Sequence, residues 1–71
     1  MHRKYVKSSV IESIGYRQVS ETLEIKFLDS GDIYQYFDVP NQVHFDLMHS
    51  ISKGQYYNEY IKNYYEESKV T

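Results

Sequence analysis

The sequence predicts an α+β domain, a three-stranded antiparallel β-meander followed by two α-helices packed on one face. Three observations carry that reading. Leu23, Ile25 and Phe27 alternate with Thr22, Glu24 and Lys26, the period of a half-buried strand. A turn signal at Ser30-Gly31 separates this run from a second one rich in Ile, Tyr and Phe, Asp32 to Phe37. After Val39-Pro40 the apolar spacing lengthens to four, at Val43, Leu47 and Ile51, which is the spacing of a helix face.

Taken in order, Ile11 to Tyr16 is the first strand, with Glu12, Ile14 and Tyr16 on one side. Arg17 to Glu21 connects it to the strand around Ile25. A two-residue closure at Ser30-Gly31 sets Phe27 opposite Tyr34 and Ile25 opposite Tyr36, so both tyrosines share the apolar face. A three-residue loop would exchange the faces of the last strand. The opposite face then carries Glu24, Lys26, Leu28, Ile33, Gln35 and Phe37. Pro40 suits a first helical turn, where its missing N–H has no partner to lose. Ser52-Lys53-Gly54-Gln55 has the serine-to-glutamine spacing of a capping box, opening a second helix from about Gly54 to Tyr65. Tyr57, Tyr60, Ile61 and Tyr64 form its main stripe, widened by Tyr56 and Tyr65. The predicted core is Ile14, Leu23, Ile25, Phe27, Tyr36, Val43, Leu47, Tyr57 and Ile61.

A chain of 71 residues holds one small domain, here residues 8–65 between a basic N-terminal arm, 1–7, and a C-terminal tail, 66–71, expected to fray. The arm carries Arg3, Lys4 and Lys7 and no acid. Residues 8–52 carry Arg17 and Lys26 against Glu12, Glu21, Glu24, Asp29, Asp32, Asp38 and Asp46, and the whole chain has a net charge of −2. A generally basic nucleic-acid binder is excluded by that balance, though a local basic patch is not. The absence of cysteine excludes disulfides, thiolate metal sites and thiol catalysis. No apolar run reaches the roughly 20 residues of a membrane span, so a cytoplasmic protein is expected.

The sequence offers little for chemistry. His44 and His49 are five residues apart and fall on different helix faces, whereas a helical metal pair needs a spacing of three or four. No nucleophile elbow, phosphate-binding glycine loop or dinucleotide fingerprint occurs. Neither an enzyme, a metal nor a cofactor is expected. The unusual feature is nine tyrosines beside three phenylalanines and no tryptophan. Their structural reading is that large rings supply burial to a short chain. Their functional reading is that Tyr34, Tyr56, Tyr60 and Tyr65, near Lys53 and Lys62, offer stacking faces for bases. Tyrosines of this kind equally mark protein contacts.

The order Ser8-Ser9, Ile14-Gly15-Tyr16, Thr22-Leu23-Glu24-Ile25-x-Phe27, Gly31-x-Ile33-Tyr34-x-Tyr36-Phe37, Val39-Pro40 and Ser52-Lys53-Gly54-x-Tyr56-Tyr57-Asn58-x-x-Ile61 resembles the KTSC domain over residues 8–65. Three positions depart from the family pattern: His44 stands where an aromatic is usual, Ser50 where a small apolar residue is common, and Tyr57 where Phe is frequent. The resemblance implies a small module, free-standing in bacteria and phage-like elements or appended to the C-terminus of some lysyl-tRNA synthetases. RNA binding is the activity that this context suggests.

The expected function is thus a non-enzymatic binding module for single-stranded RNA or a nucleotide. Its site would combine Tyr34, Ser52, Lys53, Gly54, Tyr56, Asn58 and Lys62, joining a helix start, a positive charge and aromatic faces. The structural alternative is that Ser52 caps the helix, Gly54 allows a tight entry and Asn58 satisfies a loop carbonyl. The alternative function is a protein-interaction module, including a small inhibitor encoded by a mobile element. Leu28, Ile33 and Phe37 would supply its contact patch, or that of a homodimer.

Overall fold

The computed structural model describes all residues, 1–71. Its antiparallel sheet has five strands in the order of the chain: β1 (Lys4–Tyr5), β2 (Ile11–Arg17), β3 (Thr22–Phe27), β4 (Ile33–Tyr36) and β5 (Glu67–Lys69). Helices α1 (Asn41–His49) and α2 (Lys53–Tyr60) lie between β4 and β5 in sequence. No helix is long and apolar enough to cross a membrane. The α+β class, the antiparallel sheet and the two helices are as expected, but the sheet has five strands and not three. The segment read as a basic arm supplies β1, and the segment read as a tail supplies β5. Strands of two and three residues carry no periodicity of their own; backbone pairing with longer neighbours creates them.

Alternation places Leu23, Ile25 and Tyr36 on the inner face, where they meet Leu47 of α1 and Tyr57 and Ile61 from α2 and its end. Ile11, Ile14 and Val39 complete the buried cluster. Two expected core residues, Phe27 and Val43, pack against it only half-buried. A bulge between Ile11 and Ser13 explains why Ile11, and not Glu12, joins Ile14 on the inner face. One extra residue in the strand shifts the side-chain parity.

The β3–β4 register differs from the expected one by two residues: Ile25 lies opposite Tyr34 and Leu23 opposite Tyr36. The closure is longer than two residues. Phe27 N–H donates to Asp32 O at 3.0 Å, and Gly31 takes the left-handed conformation, φ 72°, within the turn. A shift of two preserves the side-chain faces, so the tyrosines point inward as expected.

Pro40 stands just before α1 rather than in its first turn, and its carbonyl accepts from Val43 N–H at 2.9 Å. Helix α1 stops at His49 because Ser50 turns extended, which leaves Ile51 fully exposed instead of on the apolar stripe. Helix α2 is shorter than expected and ends at Tyr60, with Asn63 in the left-handed region beyond it. Tyr60 and Tyr64 are consequently exposed rather than part of the buried stripe.

The outer face of the sheet is closed by polar side chains. Gly15 has no side chain there, and a Cβ would lie 2.7 Å from the His2 carbonyl oxygen and 3.2 Å from Arg3 Cγ. The N-terminal residues therefore lie across this glycine. Arg3 Nε donates to Ser13 Oγ at 3.0 Å, and its guanidinium pairs with Glu24, a residue 3% exposed. Gln35 donates to the other Glu24 oxygen at 2.8 Å. Burial alone would raise the Glu24 pKa. The Gln35 and Arg3 hydrogen bonds, with the charges of Arg3 and the chain amine, outweigh burial and hold it below the usual range.

Candidate functional site

The residues expected to form a nucleotide site do not all line one cavity. Ser52 is the N-cap of α2, its Oγ accepting from Gln55 N–H at 3.2 Å. The capping is one-sided, because the Gln55 side chain turns instead to Glu59, Nε2 to Oε1 at 3.0 Å. Lys53 is half-buried, and its ammonium donates to the Ser50 carbonyl at 3.5 Å, near the end of α1. Gly54 is buried against Val10, whose Cγ2 would lie 2.9 Å from an added Cβ; the close approach there is of one strand flank to a helix. Tyr34 sits on the inner face of β4, its ring edge-on to Phe27 at 6.2 Å and tilted against Tyr36 at 6.5 Å. Asn58 and Lys62 are exposed, and neither lines a cavity with Tyr34.

Two of the expected residues, Ser52 and Tyr56, do come together. They line an open cleft of about 340 Å³ at the α1–α2 corner with Ser50, Ile51, Gln55, Glu59 and Tyr60. Positions 52, 55, 56, 59 and 60 fall on one helical face, since residues three and four apart are neighbours. The Tyr56 and Tyr60 rings lie 4.8 Å apart at 39°, making one tilted aromatic wall. Tyr56 also packs against the core. Its phenol is held above the usual tyrosine range, first by burial and then by the Asp46 carboxylate, with Tyr65 and Tyr60 adding to it. Glu59 is the one charged side chain in the lining. The sequence reading puts Ile51 on a helix stripe and Gln55 in a capping box, and expects none of Ser50, Ile51, Gln55 and Glu59 in the site. The tyrosine pair four residues apart was the visible signal, but the bend at Ser50 that opens the cleft has no pattern of its own.

A second cavity, about 260 Å³, opens on the outer face between Met1, Arg17, Ser20, Thr22 and Gln35. Leu28, Ile33 and Phe37 come from different parts of the β3–β4 unit. Leu28 belongs to the β3–β4 turn and donates its N–H to Val10 O at 2.9 Å, while Gln35 stands between Ile33 and Phe37 along the outer face.

The departures from the KTSC pattern each have a local partner. The His44 ring stacks on Tyr16 at 4.5 Å and 8°, occupying the place of an aromatic, and burial lowers its pKa. Tyr16 in turn donates to Val39 O at 2.6 Å. Ser50 Oγ donates to Leu47 O at 2.7 Å. Tyr57 shares a hydrogen bond with Tyr36, hydroxyl to hydroxyl at 2.7 Å, inside the core.

Comparison with known proteins decides the family, for the KTSC domain profile matches residues 7–65. The chain belongs to the KTSC domain family. A crystal structure of a KTSC domain protein from Yersinia pestis superposes with a TM-score of 0.94 at 38% identity, covering 99% of this chain and 97% of that one. The two edge strands, β1 and β5, lie outside the residues matched by the profile yet within this structural match. A lysine–tRNA ligase of Nostoc punctiforme is 45% identical over 65 residues, 92% of this chain. That match covers 11% of the ligase, so this chain spans a small part of the length of such relatives. An uncharacterised protein of Stutzerimonas stutzeri is 36% identical over 62 residues, and there the match covers 86% of the relative.

Proposed function

We propose that this KTSC domain is a non-enzymatic binding module whose contact surface is the α1–α2 cleft and whose ligand is a segment of another protein. One observation carries the reading: the cleft lining combines the Tyr56–Tyr60 wall and the fully exposed Ile51 with the Glu59 carboxylate, while Lys53 and Lys62 are not part of it. An anionic backbone would meet like charge there, and aromatic and aliphatic anchors are what protein contacts use. The histidines support no shared catalytic centre. His44 is stacked on Tyr16, and His49 is stacked on Phe45 with its Nδ1 at the Phe45 carbonyl.

A random-peptide display selection against the immobilised domain tests this reading. Enriched peptides should lose roughly tenfold or more in affinity on Tyr60→Ala, the loss of about 1.4 kcal/mol expected of a contact residue. RNA is the second reading, favoured by the relationship to a lysine–tRNA ligase. Titration of isotope-labelled protein with short single-stranded RNA and mononucleotides at low salt checks it. Shifts at Gln55 and Tyr56 that vanish in the double variant Lys53→Glu, Lys62→Glu would replace protein by nucleotide as the ligand.

A further inference from the structure

The α1–α2 cleft has a chemical bias that its apolar residues alone do not convey. The ion pairs of the domain join Arg3 to Glu24, Lys26 to Glu12 and Lys69 to Asp32, whereas Glu59, the carboxylate in the cleft lining, forms none. One oxygen of Glu59 accepts from Gln55, and the other accepts no hydrogen bond within the chain. Asp46, outside the lining, is tied to its own helix through Gln42, Nε2 to Oδ1 at 2.9 Å. The Lys53 ammonium donates to the carbonyl of Ser50 at the rim and forms no ion pair with Glu59.

We infer that the cleft holds a cationic side chain of the partner protein, arginine before lysine. The inference rests on the protein-binding reading above and names the chemistry of that contact. Tyrosine ring faces carry negative potential, so the tilted Tyr56–Tyr60 wall attracts a cation laid over it. A guanidinium is planar and weakly hydrated. It can stack on such a wall while its edge donates two hydrogen bonds to a carboxylate, which a compact ammonium cannot do. Glu59 follows the wall on the same helix face, with an oxygen to spare. Ile51 stands exposed at the mouth, where it can cover the alkyl stem of the incoming residue. The cleft volume of about 340 Å³ suits one long side chain and its flanking backbone. A purely apolar occupant would bury Glu59 without compensation, and a phosphate or acidic peptide would face its carboxylate.

Isotope-labelled protein titrated with the blocked tripeptides acetyl-Gly-X-Gly-amide, X being Arg, Lys, norleucine or Glu, tests the inference. The Arg peptide should move the amide signals of Gln55, Tyr56, Glu59 and Tyr60 with a dissociation constant on the order of millimolar, the range for one side chain. Lys should bind several-fold more weakly, and norleucine and Glu should leave those signals in place. Glu59→Gln, an exposed and conservative change, should weaken the Arg peptide by roughly 3–10-fold with the spectrum otherwise unchanged. If norleucine moves the same signals as strongly as Arg, or Glu59→Gln leaves Arg binding intact, the cationic occupant is overturned while a protein contact at the cleft stands. If every peptide is silent and single-stranded RNA moves these signals, both readings fall together.

Discussion

Tyr36 and Tyr57 make a hydroxyl pair whose two single removals should together cost more than removal of both at once. Tyr36 is 1% exposed and Tyr57 8%, their hydroxyls are 2.7 Å apart, and their rings meet edge-on at 5.8 Å and 72°. Desolvation pushes both phenols above the usual tyrosine range, so both are neutral at any working pH and the bond is between neutral partners. Such a bond contributes about 1 kcal/mol net, whereas a buried hydroxyl left alone costs about 1–3 kcal/mol. Tyr57→Phe strands the fully buried Tyr36 hydroxyl and should destabilise by about 2 kcal/mol, within that range for an orphaned hydroxyl. Tyr36→Phe strands the Tyr57 hydroxyl, which lies nearer water, and should cost about 1 kcal/mol. The double variant keeps both rings and their packing and should fall within about 1 kcal/mol of the parent, giving a coupling energy of about 2 kcal/mol. At about 0.05–0.15 kcal/mol per residue the whole domain holds about 4–11 kcal/mol, so the effect is easily measured. Urea denaturation followed by circular dichroism reads all four proteins. Additive single costs, or a neutral Tyr57→Phe, would refute the reasoning.

Three further outcomes are expected. Gly15→Ala should lift residues 1–3 off the outer face at a cost of about 1–3 kcal/mol, seen as faster amide exchange at Val6, whose N–H pairs with Glu12 O. Because the Glu24 pKa is lowered on folding, its contribution is complete above the unfolded value of about 4.3 and fades as pH falls through the folded one. Glu24→Gln should therefore flatten the acid limb of the stability curve below that pH, and a parallel limb would remove the assignment. The His44 pKa is lowered on folding, so acidification below the unfolded value of about 6.5 destabilises the parent. His44→Phe, keeping the stack on Tyr16, should be the more stable protein near pH 5 and show a smaller difference near pH 8 by thermal melting.

The inner face was legible because period-two alternation survives errors that are multiples of two. A register wrong by two residues at the β3–β4 hairpin still put Ile25, Tyr34 and Tyr36 on the correct side. The bulge at β2 is a shift of one, which alternation cannot absorb, and Glu12 and Ile11 changed places for that reason. The Val43–Leu47–Ile51 stripe was right until the backbone left the helix at Ser50, and the misplaced Ile51 became part of the cleft. Ser52 was legible as a cap, and the aromatic potential of Tyr56 as a spacing. Gly54 and Lys53 misled because a glycine and a lysine at a helix start look alike whether they face a ligand or, as here, Val10 and a carbonyl.

The position of β5 imposes an order on assembly. Each pairing from β1 through β4 joins strands that are neighbours along the chain, so contact follows soon after the preceding turn is made. The last pairing encloses both helices, from Phe37 to Glu66, before Phe37 N–H reaches Glu66 O. A longer loop costs about 0.6 kcal/mol more chain entropy for each doubling of its length, and the return here is three residue pairs. That exchange becomes favourable after the helices have docked and brought the two ends together, which makes β5 the closing step of folding. Until it closes, the backbone of Ile33–Tyr36 is an open edge, and the β5 segment of a second copy could fill it as well as its own. The shortest element but one in the domain thus guards it against strand exchange.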